Sequence, residues 1–449
     1  MGGIFRRKIY DRLVEWKRIS NGRTAALIEG TRRVGKSTVA EQFAKDSYAD
    51  YLLIDFSKES NDVKQLFSDA IGDLDTLFRN LFLLKGKGLP AGDAVIILDE
   101  VQLCPPARQA VKALVADGRY HYIETGSLIS IKQNTRDILI PSEERKMLMF
   151  PMDFEEFCWA RGDMVTADAI RDAFDARKPL GNAVHRKIMR MFREYMAVGG
   201  MPQAVEVFVK GGTYAEIDYA KRSILDLYGD DLHKYDSDEN GHVSAIFKSL
   251  SAQLGNRGGR FKYSVIGKGQ RYNRLKKSLG FLDESMMVNF CTNVTDPDVL
   301  MEMYEDRGNF KLFMGDTGLL VTQASGRAND SLYKSLVVGT SGANMGMIFE
   351  NAVAQMLVTS GHAAHFHEFE LEDPATGRVR PYEIDFLIVR GRRICPVEVK
   401  SSGYKTHKSI DKFYEKYDVK APERYVLYGK DVARDGEILY LPVYMAMCL

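Results

Sequence analysis

Cysteine is scarce in this chain. There are five among 449 residues, at positions 104, 158, 291, 395 and 448, odd in number, far apart and never in a Cys-x-x-Cys pair. That spacing excludes a disulfide framework or a zinc knuckle and predicts a reducing, cytoplasmic setting. Long apolar runs are missing as well. Stretches such as Ala94 to Leu98 fall far short of the roughly 20 residues that cross a bilayer, so no membrane partner is predicted. Arg6, Arg7 and Lys8 run into Asp11, Arg12 and Glu15 rather than an apolar segment, which does not read as a signal peptide. Nor is there a surplus of either charge: 62 Lys and Arg stand against 61 Asp and Glu, a net +1. Any attraction to nucleic acid must therefore be local. At 45% hydrophobic and 27% charged, the composition excludes a wholly disordered or collagen-like chain.

The length allows about three domains at roughly 150 residues each. Ile4, Ile9, Leu13 and Trp16 recur near helical spacing, so a basic amphipathic helix opens the chain. Ala25–Glu29, Tyr51–Phe56, Ala94–Leu98 and Tyr120–Glu124 read as strands separated by helices, which predicts a parallel α/β core over residues 1–150. Residues 151–239 are charged and helix-rich, broken at Gly199-Gly200-Met201-Pro202. Residues 240–330 read as helical pieces and a strand. Residues 331–449 read as a helix followed by alternating strands. The Gly-, Ser-, Ala- and Asn-rich stretch 322–345 is the expected linker.

Gly30-Thr31-Arg32-Arg33-Val34-Gly35-Lys36-Ser37 fits G-x-x-x-x-G-K-[ST] in full, with a strand before it and a helix, continuing through Thr38, after it. The glycines let successive backbone N–H groups curl around a β-phosphate, and the helix N-terminus adds partial positive charge. Lys36 is expected to reach the β- and γ-phosphate oxygens and Ser37 to ligate Mg²⁺. Val95-Ile96-Ile97-Leu98-Asp99-Glu100 is the matching buried strand with two carboxylates at its tip. Asp99 is expected to hold Mg²⁺ through water, and Glu100 to polarise the attacking water. Thr125, after the fourth strand, is placed to sense the γ-phosphate. No Asn-Lys-x-Asp guanine signature occurs, so ATP is the expected nucleotide.

With these residues in hand, the sequence resembles bacterial and archaeal AAA-type ATPases that carry a C-terminal restriction-endonuclease-like domain of unassigned role. The resemblance rests on Gly30–Ser37, Ile97–Glu100, Thr125–Ser127, Met152–Phe157, Gly199–Pro202, Asp230–Leu232 and Phe313–Leu319, and spans nearly the whole chain. It implies an α/β fold with a P-loop AAA-like core, a helical region, a winged helix and an α/β nuclease-like end. It also implies a γ-phosphate contact from Arg145, although Glu144 stands where the family has glycine. A homo-oligomer or a protein partner fits the same reading.

Two further features bear on partners. Between Gly255 and Leu282 lie eight basic residues (Arg257, Arg260, Lys262, Lys268, Arg271, Arg274, Lys276, Lys277) and no acidic one. Helices over 243–254 and 270–279 and a strand near 285–290 read as a winged helix, and the charge forms a local phosphate-attracting patch for DNA or RNA. Near the C-terminus, a two-residue turn at Gly391-Arg392 would place Asp385 opposite Glu398, with Lys400 on the same face. Two carboxylates and an amine so arranged can hold Mg²⁺ and steer water onto a phosphodiester. The pattern resembles the D…ExK signature of restriction-endonuclease-like proteins, which implies Glu350, on the preceding helix, as a third metal ligand. Histidines 362, 365 and 367 match no zinc spacing and read as ordinary polar residues. Two functions stay open: an ATPase driving a metal-dependent nuclease, or a nucleotide-dependent switch whose C-terminal domain docks a partner without cleaving it.

Overall fold

The computed structural model describes residues 4–69, 72–127, 142–239, 241–256, 258–326, 329–339, 345–372, 377–401, 407–417 and 424–449. They form two compact units, Met1–Phe150 with Glu284–Met286, and Pro151–Asp283 with Met287–Leu449.

The first unit runs α1 (Lys8–Ser20), β1 (Ala25–Glu29), α2 (Lys36–Ser47), β2 (Asp50–Asp55), α3 (Asn61–Asp69), α4 (Leu74–Lys85), β3 (Ala94–Asp99), α5 (Pro105–Asp117), β4 (His121–Gly126) and β5 (Glu144–Leu148). The strands form one parallel sheet in the order β2-β3-β4-β1-β5. Every residue of β1 and β3 is buried, the pattern of strands covered on both faces. Ile54, Phe56, Phe67, Phe78, Ile96, Leu98 and Val111 fill one side of the sheet. Each contributes roughly 1.5–3 kcal/mol by leaving water. The order sets β4 between β1 and β3, so the tips of these strands share one edge. A fifth strand, β5, was not expected from the charged run Glu144-Arg145-Lys146. It forms because Glu144 turns inward onto Arg108, at 2.9 Å, with both side chains almost wholly buried.

The second unit begins with α6 (Phe154–Ala160), α7 (Thr166–Ala176), α8 (Asn182–Val198), α9 (Pro202–Val209), α10 (Tyr214–Glu239), α11 (Val243–Leu254) and α12 (Tyr272–Ser285). It continues with β6 (Val288–Val294), β7 (Glu305–Met314), α13 (Thr317–Ser325), α14 (Asn329–Val338), α15 (Met345–Thr359), β8 (Ala364–Glu372), β9 (Val379–Arg390) and β10 (Arg393–Lys400). The last elements are α16 (Lys408–Tyr417), β11 (Arg424–Tyr428), β12 (Ala433–Asp435) and β13 (Ile438–Pro442). Its sheet has eight strands in the order β12-β13-β11-β10-β9-β8-β6-β7.

Two expectations need correction. The helices α11 and α12 and the hairpin β6/β7 follow in winged-helix order, but β6 also pairs in parallel with β8, Cys291 opposite Ala364. The hairpin is therefore part of the C-terminal sheet, and residues 240–330 and 331–449 are not separated by a sheet boundary. The expected linker 322–345 holds the end of α13 and all of α14, while residues 327–328 and 340–344 lie outside the described ones. Tyr333 and Leu336 anchor α14 in the core, and the Tyr333 hydroxyl donates to Asp218 at 3.1 Å. A count of small residues does not register two such anchors.

Several motifs behind the family resemblance turn out to hold this unit together. Asp153 caps α6 by accepting from Glu156 N at 2.9 Å, and its own N–H donates back to Glu156. Asp316 accepts from Leu319 N at 2.9 Å and from Gly200 N at 2.6 Å, joining the two glycine-containing motifs. The backbones approach so closely there that a Cβ on Gly200 would lie 2.0 Å from the Met152 carbonyl oxygen. Lys221, fully buried, donates to Ala197 O at 2.6 Å and Gly318 O at 3.1 Å.

Candidate functional site

The phosphate loop leaves the tip of β1. Arg33 and Gly35 have φ of +69° and +97°, the second being strain-free only for glycine. Gly30 is required for a different reason: a Cβ there would sit 2.3 Å from the Met149 carbonyl oxygen. Arg7, just before α1, grips the loop from behind, donating to Val34 O at 2.7 Å and to Phe150 O at 2.6 Å. Local motif reading missed it because its partners are remote in sequence; the basic run Arg6-Arg7-Lys8 was the available signal.

Lys36 is 5% exposed and folds back on the loop, donating to Gly30 O at 3.0 Å and Thr31 O at 2.9 Å. Burial lowers its pKa to about 8, against the opposing pull of Glu100 and Asp99. The Ser37 hydroxyl donates to Asp99 Oδ1 at 2.7 Å, and Thr125 Oγ1 donates to the same oxygen. Thr125 also accepts from Glu100 N at 3.4 Å. Glu100 has φ of +52°, a left-handed conformation that is strained for a residue bearing a side chain. Its carboxylate accepts from Gln102 Nε2, a partner that the Asp-Glu pattern alone does not reveal.

Lys36, Ser37, Asp99, Glu100 and Thr125 thus meet at one point, as the motifs imply. A nucleotide with Mg²⁺ fits them on three counts. The Thr31 hydroxyl is buried with no hydrogen-bond partner, the Lys36 ammonium sits on carbonyls that phosphate oxygens can replace, and a hydroxyl and a carboxylate face one another. Arg32 and Arg33 line the loop, and Thr38 is exposed on α2. Arg145 is not brought to this point. It lies exposed on edge strand β5 opposite Ala26, about 13 Å down the sheet from the loop at roughly 3.3 Å per residue.

The second expected cluster lies on β9 and β10. Their register runs from Arg393 opposite Arg390 to Val397 opposite Phe386, the register expected from the turn, and its last pair lies one step before Asp385 and Glu398. Asp385 accepts from Val399 N at 2.8 Å, and Lys400 pairs with Glu398 at 3.1 Å. Glu350, on α15, is pushed up to about 7 by burial, the largest counter-effect coming from Lys311. Burial likewise raises Asp385 and Glu398. Lys311 was not foreseen. It is 1% exposed and pairs with Glu383 at 2.6 Å. Among the described residues no three His, Cys, Asp or Glu side chains group so as to hold a metal ion, so Glu350, Asp385 and Glu398 do not fit one as arranged.

In the basic segment, Lys262, Lys268, Arg271, Arg274, Lys276 and Lys277 are exposed. Arg260 is also half exposed but pairs with Glu368 and Glu383. Arg257 lies outside the described residues. His367 is buried between Val294 O at 2.6 Å and the Tyr417 hydroxyl at 2.8 Å, and His365 meets Glu305 at 3.1 Å. No described helix is long and apolar enough to cross a membrane.

Comparison with known proteins bears on the class of the first unit. Residues 22–158 match the family model of an AAA domain. Residues 189–330 and 345–444 match two domains of unknown function, DUF8612 and DUF4143. The first unit therefore carries a P-loop domain of the AAA-type ATPase class. Three solved structures are similar. A signal transduction ATPase with numerous domains (STAND) and a tetratricopeptide repeat sensor, from Pyrococcus horikoshii, is 13% identical over 80% of this chain and 46% of that one, with a TM-score of 0.29. The RuvB Holliday junction branch migration motor of Thermotoga maritima is 11% identical over 63% and 89%, with a TM-score of 0.28. Cdc6p of Pyrobaculum aerophilum is 12% identical over 74% and 94%, with a TM-score of 0.24. The present chain spans less than half the length of the first of these. No curated protein matches the chain.

Proposed function

We propose that this protein binds and hydrolyses ATP with Mg²⁺ at the Gly30–Ser37 loop, and that its second unit engages nucleic acid through the basic residues between 255 and 282. The observation that carries the first half is the meeting of Lys36, Ser37, Asp99, Glu100 and Thr125 at the tips of three adjacent strands. Loop amides cradle the β-phosphate, and Lys36 leaves Gly30 O and Thr31 O for the phosphate oxygens. Ser37, and Asp99 through water, would hold Mg²⁺, which would supply charge neutralisation on the phosphates. Glu100 orients the water for in-line attack, and Gln102 fixes the carboxylate that does so. Lys36→Ala is expected to abolish nucleotide binding, and Glu100→Gln to retain ATP without turning it over. Turnover by Glu100→Gln equal to the parent would remove Glu100 from this mechanism.

The second half rests on six exposed cations within a protein of net charge +1. Of the two readings of the C-terminal domain, docking without cleavage is favoured by Lys311, which sits among the carboxylates where a nuclease needs room for a metal. A nicking assay with Mg²⁺ or Mn²⁺, comparing the parent with Asp385→Ala, tests this. Metal-dependent cleavage lost in the variant would restore the nuclease reading.

A further inference from the structure

Lys311 lies on β7 opposite Cys291, two strands beyond β8 and three beyond β9, and yet its ammonium reaches Glu383 on β9 at 2.6 Å. The ammonium itself lies 5.2 Å from the centre of the Phe366 ring. Its side chain is 1% exposed, so this charge is held without water and must be matched by acid. The acids are at hand: Glu350, Glu383 and Asp385 all act on it. Lys400 balances Glu398 from the other side at 3.1 Å, and Arg260 approaches Glu383 from the rim at 3.8 Å. Four carboxylates from α15, β9 and β10 thus face Lys311 and Lys400, while Arg260 is shared between Glu383 and Glu368 on β8. Uncompensated carboxylates gathered like this would attract a divalent ion, and the cation already present removes that attraction.

We propose that the Lys311 ammonium is the resident cation of this carboxylate cluster and excludes a divalent metal from Glu350, Asp385 and Glu398. This deepens the docking reading and rests on it. The cluster acts as an internal brace, with Arg260 linking it to the basic segment, rather than as a hydrolytic centre.

The test is a Mn²⁺ titration of the full-length, nucleotide-free chain, followed by the electron paramagnetic resonance of free Mn²⁺. Binding at the cluster is the part lost on Asp385→Asn. The parent and Lys311→Arg are expected to show no such part, whereas Lys311→Met gains one Asp385-dependent site at least about tenfold tighter than anything in the parent. Asp385-dependent binding in the parent overturns the proposal, and this holds whether or not Lys311→Met folds. A folded Lys311→Met that gains no site overturns it too. Nucleic-acid affinity is measured separately by fluorescence anisotropy. Loss of that affinity with the Mn²⁺ pattern intact would refute the docking reading and leave the lysine assignment standing.

Discussion

The lowered pKa of Lys36, about 8, makes nucleotide affinity a function of pH above neutrality. The perturbation is simply raising pH from 7 to 9. In the free protein Lys36 is buried against two loop carbonyls and carries its proton reluctantly; beside phosphates the charged form is favoured and the proton is held firmly. At pH 7 about nine-tenths of the free protein has the charged amine, but at pH 9 only about one-tenth does. Binding at pH 9 must therefore take up about 0.9 proton, and Kd weakens about tenfold, or ~1.4 kcal/mol. Calorimetry in two buffers of different ionisation heat reads both quantities at once. The same shift has a mirror image in stability. Between pH 8 and 10.5 the unfolded chain holds more of this proton than the folded one, so this group's contribution rises with pH across that window, by about 3 kcal/mol in all. A Kd that is flat from pH 7 to 9, with no proton uptake, would refute the reasoning.

Three other outcomes follow from the geometry. Arg7→Met leaves Val34 O and Phe150 O unpaired and is expected to destabilise the first unit by roughly 2–4 kcal/mol in chemical denaturation, with weaker nucleotide binding alongside. Gly200→Ala forces a methyl onto the Met152 carbonyl and should destabilise by about 2–4 kcal/mol, while Gly211→Ala, which has open space but a φ of +81°, is expected to lose only about 1 kcal/mol. Replacing Arg271, Arg274 and Lys276 by serine should weaken nucleic-acid binding and lower the slope of log affinity against log salt by up to about 0.9 for each phosphate no longer neutralised. An unchanged slope would detach the basic segment from that role.

What the sequence revealed and what it hid divide along the separation of interacting residues. The phosphate loop is a local pattern whose glycines and lysine act within eight positions, so Gly30 to Ser37 could be read directly. The β9/β10 register was equally open, because a tight turn fixes pairing for the whole hairpin. Arg7 was hidden because one of its partners, Phe150, is 143 residues away, and Lys311 because it meets Glu383 from 72 residues away across other strands. The charged start of β5 concealed a strand, since only the fold supplies Arg108 for Glu144. Likewise, nothing local to β6 announces that its free edge is taken by β8.

That last pairing has a mechanical meaning. A wing joined to its domain by a loop can swing, but β6 is stitched by main-chain hydrogen bonds to strands on both sides. Force applied to the hairpin by a bound polymer would be shared across the eight-stranded sheet, so this part of the molecule yields as a plank rather than as a hinge.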